Sequence, residues 1–245
     1  MQPQKEKDKM MCACEKPIEK EWIECAKGLS VSLLLDGAKA AGIALERGGC
    51  LSASVSAVNR GHKMVGTAVT VKTQIGDNQP IHLAIYGTKE PGYVLVIDGG
   101  GYDGCAYMGD LMLGACKALG FAGVVIDGRI RDYDGVINLD FPVYTRGFMP
   151  LAPTKTKEGE VNTPVSCGGI KVNPGDLVMG DCDGVCVIPR EHVPAVLEAA
   201  IKRRDYEAAR EEAIREYVLA KESGLPLPDL TPAWAREILE RESEK

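Results

Sequence analysis

Hydrophobic and polar positions along the chain divide it into two differently patterned halves. In the first, "KGLSVSLLLDGAKAAG" (27–42) reads as a helix, and "MVGTAVTVKT" (64–73) alternates and is rich in Val and Thr, as a strand does. "IGDNQPIHLAIYGT" then reads as a turn leading into a helix. The unbroken apolar runs in "YVLVID" (93–98) and "AGVVIDG" (122–128) predict two buried strands. Between them "GDLMLGACKALG" (109–120) predicts a helix, with Asp110 at its N-terminus and Gly120 as its stop signal. Strand, helix and strand in that order make a βαβ unit.

In the second half the pattern changes to strand after strand from 141 to 189, separated by the turn signals "NPGD" and "CDG". A long charged amphipathic helix is expected from about Arg190 to Ser223, then a Pro-rich link and one short helix. Residues 1 to about 20 are polar and read as a tail. The expected fold class is α/β, with a βαβ core, a β-rich second half and a C-terminal helix.

Composition narrows the function classes. The 245 residues are 45% hydrophobic but only 5% aromatic, so a core of Val, Ile, Leu, Ala and Met is expected. A net charge of −6 argues against broad phosphate-backbone binding, so no nucleic-acid partner is expected. No run of 18 apolar residues occurs, and the N-terminus lacks a signal-peptide core; no membrane partner is expected, and the location expected is cytoplasmic. Nine cysteines then read mostly as free, packed thiols. Cys12-x-Cys14 has no second ligand pair of matching spacing, and His62, His82 and His192 are far apart, so a zinc site is not expected.

The run Gly99-x-Gly101-x-x-Gly104 after a strand, with Asp127 ending the next strand, matches a dinucleotide-binding fingerprint. Two of its requirements fail. Four residues separate Gly104 from Gly109 and Asp110, where the helix opens, and no repeated βα units follow Asp127.

A different constellation remains. Asp110 sits at a helix N-terminus, and Arg131-Asp132 follows the next strand after twenty intervening residues. A parallel crossover brings the C-terminal ends of both strands to one sheet edge, so Asp110, the N–H groups of Leu111 and Met112, Arg131 and Asp132 should converge. Helix N-termini and Arg bind oxyanions, and an Asp beside them can hold Mg2+ or Mn2+. Such a set suits a small 2-oxo acid chelated to a divalent metal. Taken singly, Asp110 also reads as a helix cap and Arg131-Asp132 as a surface ion pair.

The D-x20-R-D arrangement within "GDLMLGACKALGFAGVVIDGRIRD" resembles the signature of class II 4-hydroxy-4-methyl-2-oxoglutarate/4-carboxy-4-hydroxy-2-oxoadipate aldolases, in the family that also holds the regulator of ribonuclease activity A proteins. "GHKMVGTAVTVKTQIGDN", "VIDGGG", "FPVYTRG" and "VNTPVSCGGIKVNPGDLVMGDCDGVCVIP" agree, and the likeness covers about residues 27–222. It implies a swivelling β/β/α-type single domain over 27–223, between a polar tail (1–26) and a C-terminal extension (224–245). The implied activity is metal-dependent retro-aldol cleavage of a 4-hydroxy-2-oxo di- or tricarboxylic acid to pyruvate, with oxaloacetate decarboxylation as a side reaction. Alternatives are a non-catalytic ribonuclease inhibitor, or a lyase for another small, sugar-derived acid. A Schiff-base route is not marked out, since neither Lys72 nor Lys117 stands apart.

The resemblance also implies roles. Asp132 would ligate Mg2+ or Mn2+, Arg131 would hold the keto oxygen and stabilise the enolate, and Asp110 would orient a metal-bound water and take part in proton transfer. Gly109, Leu111 and Met112 would bind the pyruvyl carboxylate, while Gly99, Gly100 and Gly101 would allow close backbone approach. A homotrimer or homohexamer with sites at subunit boundaries is implied, with Glu211 the candidate from a neighbour's C-terminal helix. The family often reads R-D-x-x-E, whereas here Gly135 replaces the acid and Asp134 stands one place early.

Overall fold

The computed structural model describes residues 15–243, so Cys12-x-Cys14 lies outside the described residues. Ten strands occur among them: β1 (Ser56–Ala57), β2 (Met64–Lys72), β3 (Tyr93–Met108), β4 (Gly123–Ile130), β5 (Val143–Thr145), β6 (Glu160–Val161), β7 (Val165–Cys167), β8 (Ile170–Val172), β9 (Leu177–Asp181) and β10 (Gly184–Ile188). The helices are α1 (Lys20–Lys27), α2 (Val31–Ala40), α3 (Gln79–Gly87), α4 (Asp110–Ala118), α5 (Tyr133–Asn138), α6 (Val193–Glu222) and α7 (Ala233–Ser243).

The main sheet runs β1-β5-β4-β3-β2-β9-β10, with β6 also pairing with β2; β7 and β8 form a separate hairpin. Its centre, β5-β4-β3-β2, is parallel, built by crossovers through α3, α4 and α5. β9 and β10 continue it antiparallel, and the bridge Cys50↔Cys186 ties the segment before β1 to β10, so the sheet nearly closes on itself. This is the mixed α/β domain expected.

Both faces of the central strands are buried, which explains their unbroken apolar runs. Val69, Val71, Leu95, Ile97, Val124 and Ile126 share one core cluster with Ile81 and Ile85 of α3 and Leu113 and Cys116 of α4. Ala68, Val94, Val96 and Val125 share another with the β7–β8 hairpin. Each fully buried Val or Ile contributes about 1.5–3 kcal/mol relative to exposure. The alternation in β2 does not mark a wet face. Thr67 and Thr70 are buried because Thr67 Oγ1 accepts from the Ile18 N–H and Thr70 Oγ1 donates to the Thr163 carbonyl.

Three local expectations change. The helix expected from 27 begins at Val31, where Ser30 caps it by accepting from the Leu33 N–H. The described part of the expected tail is folded: α1 packs Ala26, and the preceding Ile18, into a core cluster with α2 and β9. The strand expected to stop at 98 runs to Met108, because the glycine run forms a broad bulge; between Ile97 and Tyr102, β3 spends five steps where β4 spends two.

One compact unit ends at Ile201 and a second begins at Lys202, inside α6. The second unit holds the remainder of α6 and α7; within it Arg210 donates to the Leu230 carbonyl and Arg236 pairs with Asp229. No helix among the described residues is long and apolar enough to cross a membrane.

Candidate active site

The C-terminal ends of β3 and β4 lie side by side, with Met108 opposite Ile130 and the Arg131 N–H donating to the Met108 carbonyl at 3.0 Å. Each strand hands directly to a polar residue. After Met108 the chain stays extended at Gly109, and Asp110 opens α4. After Ile130 come Arg131 and Asp132, and Asp132 adopts the left-handed conformation (φ 62°, ψ 53°) as α5 begins. A non-glycine residue held there stores strain, which concentrates at functional sites.

Two glycines make room for the acids. A Cβ on Gly109 would collide with Asp132 Oδ2, and one on Gly135 would lie 2.8 Å from Asp110 Cβ and collide with its carboxylate. Gly135, the departure from R-D-x-x-E, is thus the notch into which Asp110 fits. Arg131 Nε lies 3.3 Å from Asp132 Oδ2, with both side chains about 40% exposed. Gly109, Asp110, Leu111, Met112, Arg131 and Asp132 all line one cavity of about 270 Å³. That lies just under the usual range for drug-sized ligands, roughly 300–1,000 Å³. It suits a small metabolite, not a dinucleotide.

The remaining lining comes from Ala106, Tyr107 and Met108 at the end of β3, from the start and one face of α3, and from the loop before β6. Asn78, His82 and Tyr86 stand four residues apart, on one helix face, joined by Ala152, Pro153 and Lys155. Asn78 Nδ2 donates to the Tyr107 carbonyl at 2.8 Å, which leaves its Oδ1 buried and unpartnered; His82 Nε2 is likewise buried and unpartnered. Burial, then nearby Lys155, holds the His82 imidazole below its ordinary pKa, so it is neutral at pH 7.

The loop is anchored by Asp77. Its carboxylate accepts from the Gln79 N–H (2.8 Å), Thr154 Oγ1 (2.6 Å), the Thr156 N–H (2.8 Å) and the Lys157 N–H (3.1 Å). Burial pushes the Asp77 pKa up, but these four bonds outweigh it and hold the group below its ordinary value.

Other expected residues lie elsewhere. Gly99, Gly100 and Gly101 do not line the cavity, because the bulge carries them toward a different set of contacts. The Gly99 carbonyl accepts from Tyr107 Oη (2.9 Å), and Gly101 abuts the Arg146 guanidinium. Asp127, the acid of the dinucleotide pattern, is buried against Arg146 and the Gly168 N–H. Glu211 is exposed on α6, in the second unit. The Leu111 N–H already donates to Asp110 Oδ1 at 2.7 Å, so an incoming carboxylate would exchange with that acceptor.

The donor set beside Arg131 is two carboxylates, Asp110 and Asp132, with no cysteine among the cavity residues. It fits a hard cation that keeps several waters, such as Mg2+, better than a thiolate-seeking one. Among the described residues, the three-ligand group close enough to share an ion is Asp181-Cys182-Asp183, away from this cavity. There Asp181 caps α2 through the Val31 N–H (2.8 Å) and accepts from the Asp183 N–H (3.0 Å).

Sequence reasoning missed Asn78, His82, Tyr86 and Lys155. For the first three a signal existed: they form a polar and aromatic stripe at i, i+4 spacing on a helix whose Ile81, Ala84 and Ile85 are buried. No spacing signal marks Lys155.

A family model described as RraA-like, Aldolase/RraA, matches residues 34–187. A protein of Halalkalibacterium halodurans named "Putative 4-hydroxy-4-methyl-2-oxoglutarate aldolase" is 43% identical over 170 residues, covering 69% of this chain and 80% of that protein. The crystal structure of an uncharacterized protein from Pseudomonas syringae matches with a TM-score of 0.69 at 28% identity, over 91% of this chain and all of that one. Streptomyces coelicolor RraAS2, described as an unusual member of the RNase ES inhibitor RraA protein family, matches with a TM-score of 0.69 at 27% identity, over 80% and 98% of the two chains.

Proposed function

The chain belongs to the RraA-like Aldolase/RraA family, and from that premise we propose that it is a carbon–carbon lyase that cleaves a 4-hydroxy-2-oxo di- or tricarboxylic acid to pyruvate with the help of Mg2+ or Mn2+, and decarboxylates oxaloacetate as a side reaction. The observation that carries this reading is the meeting of Asp110, Arg131 and Asp132 on one metabolite-sized cavity at a helix N-terminus.

Asp132, with Asp110 close by, would hold the cation, whose chemistry there is to polarise the keto oxygen as a Lewis acid. The chain's own residues do the rest. The N–H groups of Leu111 and Met112, at the start of α4, take the substrate carboxylate. As Leu111 turns its N–H to the substrate, Asp110 loses that bond and is freed to move a proton. The Arg131 guanidinium holds the keto oxygen and stabilises the negative charge that grows on it as the C–C bond breaks. The tight Gly109 backbone keeps Asp132 and Arg131 beside that oxygen.

The purified protein should release pyruvate from oxaloacetate and from a 4-hydroxy-2-oxo acid when Mg2+ is present, and stop when EDTA is added. Full activity after metal removal overturns the metal's part; absence of pyruvate from every such acid overturns the lyase. Reduced, free thiols such as Cys105, Cys116 and Cys167 fit a cytoplasmic setting. Leu111 at 85% exposure, with Tyr86 and Tyr133 also exposed, supports a homotrimer or homohexamer whose subunit boundary passes over the cavity mouth; Glu211 of a neighbour is the proposed contribution across it.

A second reading draws on the RNase-inhibitor description of the Streptomyces neighbour and on the net charge of −6: the chain binds and inhibits a ribonuclease. Inhibition of a ribonuclease without any lyase activity would favour it. A lyase for a different small, sugar-derived acid would keep the Leu111, Met112 and Arg131 half of the cavity and change the rest.

A further inference from the structure

We infer that Cys50 and Cys186 are a thiol-oxidation site: a low-molecular-weight disulfide that enters the cavity beside α2 is reduced there, and a cross-strand disulfide forms that locks the closure of the sheet. The site lies away from the candidate active site, so the inference stands apart from the lyase reading.

Three observations carry it. First, the backbone sets the two thiols face to face. Cys50 and Cys186 are antiparallel bridge partners, and the flanking bond runs from the Leu51 N–H to the Val185 carbonyl (3.0 Å). That makes Cys50 and Cys186 a non-hydrogen-bonded pair. In such pairs the Cα atoms lie about 4.5 Å apart, within the roughly 4.4–6.8 Å that a disulfide spans. Directly opposed side chains share one face of the sheet. Burial agrees: Leu51 and Val185 pack into the cluster that holds the β7–β8 hairpin, while Cys186 packs with Leu34 and Ala38 of α2. No other two cysteines among the described residues stand opposite each other in a strand register.

Second, the pair is open from one side. Cys50 lines a cavity of about 550 Å³ together with Ala38 and Leu45, which also pack in the cluster around Cys186. Lys39 and Arg47 line the same cavity, against one acid, Asp36. That balance favours an anionic ligand such as an acidic peptide disulfide, and the volume falls in the range of small-molecule sites. Cys50 is half-buried and Cys186 fully buried, so an incoming disulfide meets Cys50 first.

Third, the two thiols differ as an attacking and a resolving thiol do. Burial, and then the neighbouring Cys50, push the Cys186 thiol well above its ordinary pKa, which leaves Cys50 to attack. The Cys50 thiolate takes one sulfur of the small disulfide; that S–S bond breaks and a first small thiol leaves with a proton. Cys186 then gives up its proton and attacks Cys50 Sγ, and the second small thiol leaves. Two protein thiols are oxidised to one S–S bond, and the small disulfide, taking two electrons and two protons, is reduced to two thiols. The cross-strand juxtaposition makes the second step intramolecular, which offsets the small thiolate fraction of Cys186.

Full-length protein, reduced and then incubated with oxidised glutathione, tests this by non-reducing peptide mapping and thermal melting. The wild type should yield the Cys50 peptide linked to the Cys186 peptide. Its Tm should rise on the order of 10 °C, because the bond closes a loop that holds β1 to β9, and dithiothreitol should reverse both changes. Cys186→Ala should stop with glutathione on Cys50 and no rise in Tm, and Cys50→Ala should leave Cys186 unmodified. If Cys186→Ala does not fold, the wild-type map and melt decide alone. The inference is overturned if wild-type Cys50 stays unmodified, whatever happens at the exposed Cys182. It is also overturned if glutathione remains on Cys50 without passing to a Cys50–Cys186 bond, or if that bond forms with no rise in Tm.

Discussion

At the scale of single residues, the site is made by exceptions. Asp132 holds φ at 62°, where an L-residue costs roughly 1–2 kcal/mol, and its half-exposed pair with Arg131 returns at most ~1 kcal/mol. Asp132→Gly should therefore leave urea-unfolding stability within about 1 kcal/mol of wild type while lowering turnover roughly a hundred-fold or more. Loss of stability in parallel with activity would mean that Asp132 serves the fold instead. Gly109→Ala makes the converse test, since it retains both charged side chains but displaces the Asp132 carboxylate and crowds the Arg131 side chain; turnover should fall with little change in Tm. Asp176 illustrates a different exception. Burial pushes its carboxyl up to about 6, despite bonds from the Asn173 and Arg190 N–H groups. Because the folded pKa lies above the unfolded one, its contribution to stability is complete below about pH 4 and is lost as pH rises through about 6, on the order of 3 kcal/mol. Urea titrations from pH 4 to 7 should show that decline, and Asp176→Asn should flatten it.

At the scale of elements, the two strands that make the site were the most legible in the sequence, because strands buried on both faces read as unbroken apolar runs. Counting from Asp110 to Arg131-Asp132 worked for a topological reason: a parallel crossover returns the chain to the same sheet edge. The end of β3 was not legible. Gly99, Gly100 and Gly101 look like a turn, and only their pairing partner, β4, reveals a bulge that resumes as strand. The α3 face with Asn78, His82 and Tyr86 carries an i, i+4 stripe whose meaning appears only with the cavity it lines, and Lys155 is brought to it by a loop with no periodicity at all. What links those elements is Asp77, a buried acid with four donors. Asp77→Ala should cost on the order of 3 kcal/mol by leaving these donors unpaired. Amide exchange should quicken across residues 154–157 before it does in β3. Unchanged protection in that loop would show that other contacts hold it.

At the scale of the whole molecule, several large apolar side chains of the described residues are exposed, and Leu111 and Tyr86 among them border the cavity. Leu111 is 85% exposed although it occupies the first turn of α4, the helix proposed to receive the substrate, and Tyr133, next to Asp132, is 57% exposed. Leaving a leucine in water there forgoes roughly 1.5–3 kcal/mol that burial would supply. A second copy covering the rim, as proposed above, would recover it and would shield the proposed enolate from solvent. Light scattering coupled to gel filtration should therefore give a multiple of 26.3 kDa for the wild-type chain. Leu111→Glu changes neither the backbone N–H nor any buried contact of the isolated chain, so the variant should fold normally. It should shift the mass toward the single-chain value and reduce turnover in proportion to the assembly lost, with activity recovering as protein concentration rises. If Leu111→Glu keeps the wild-type mass, the rim is not the boundary between copies. If it dissociates while activity per chain stays constant at every concentration, the cavity is complete within one chain, and Glu211 of a neighbour has no part in it.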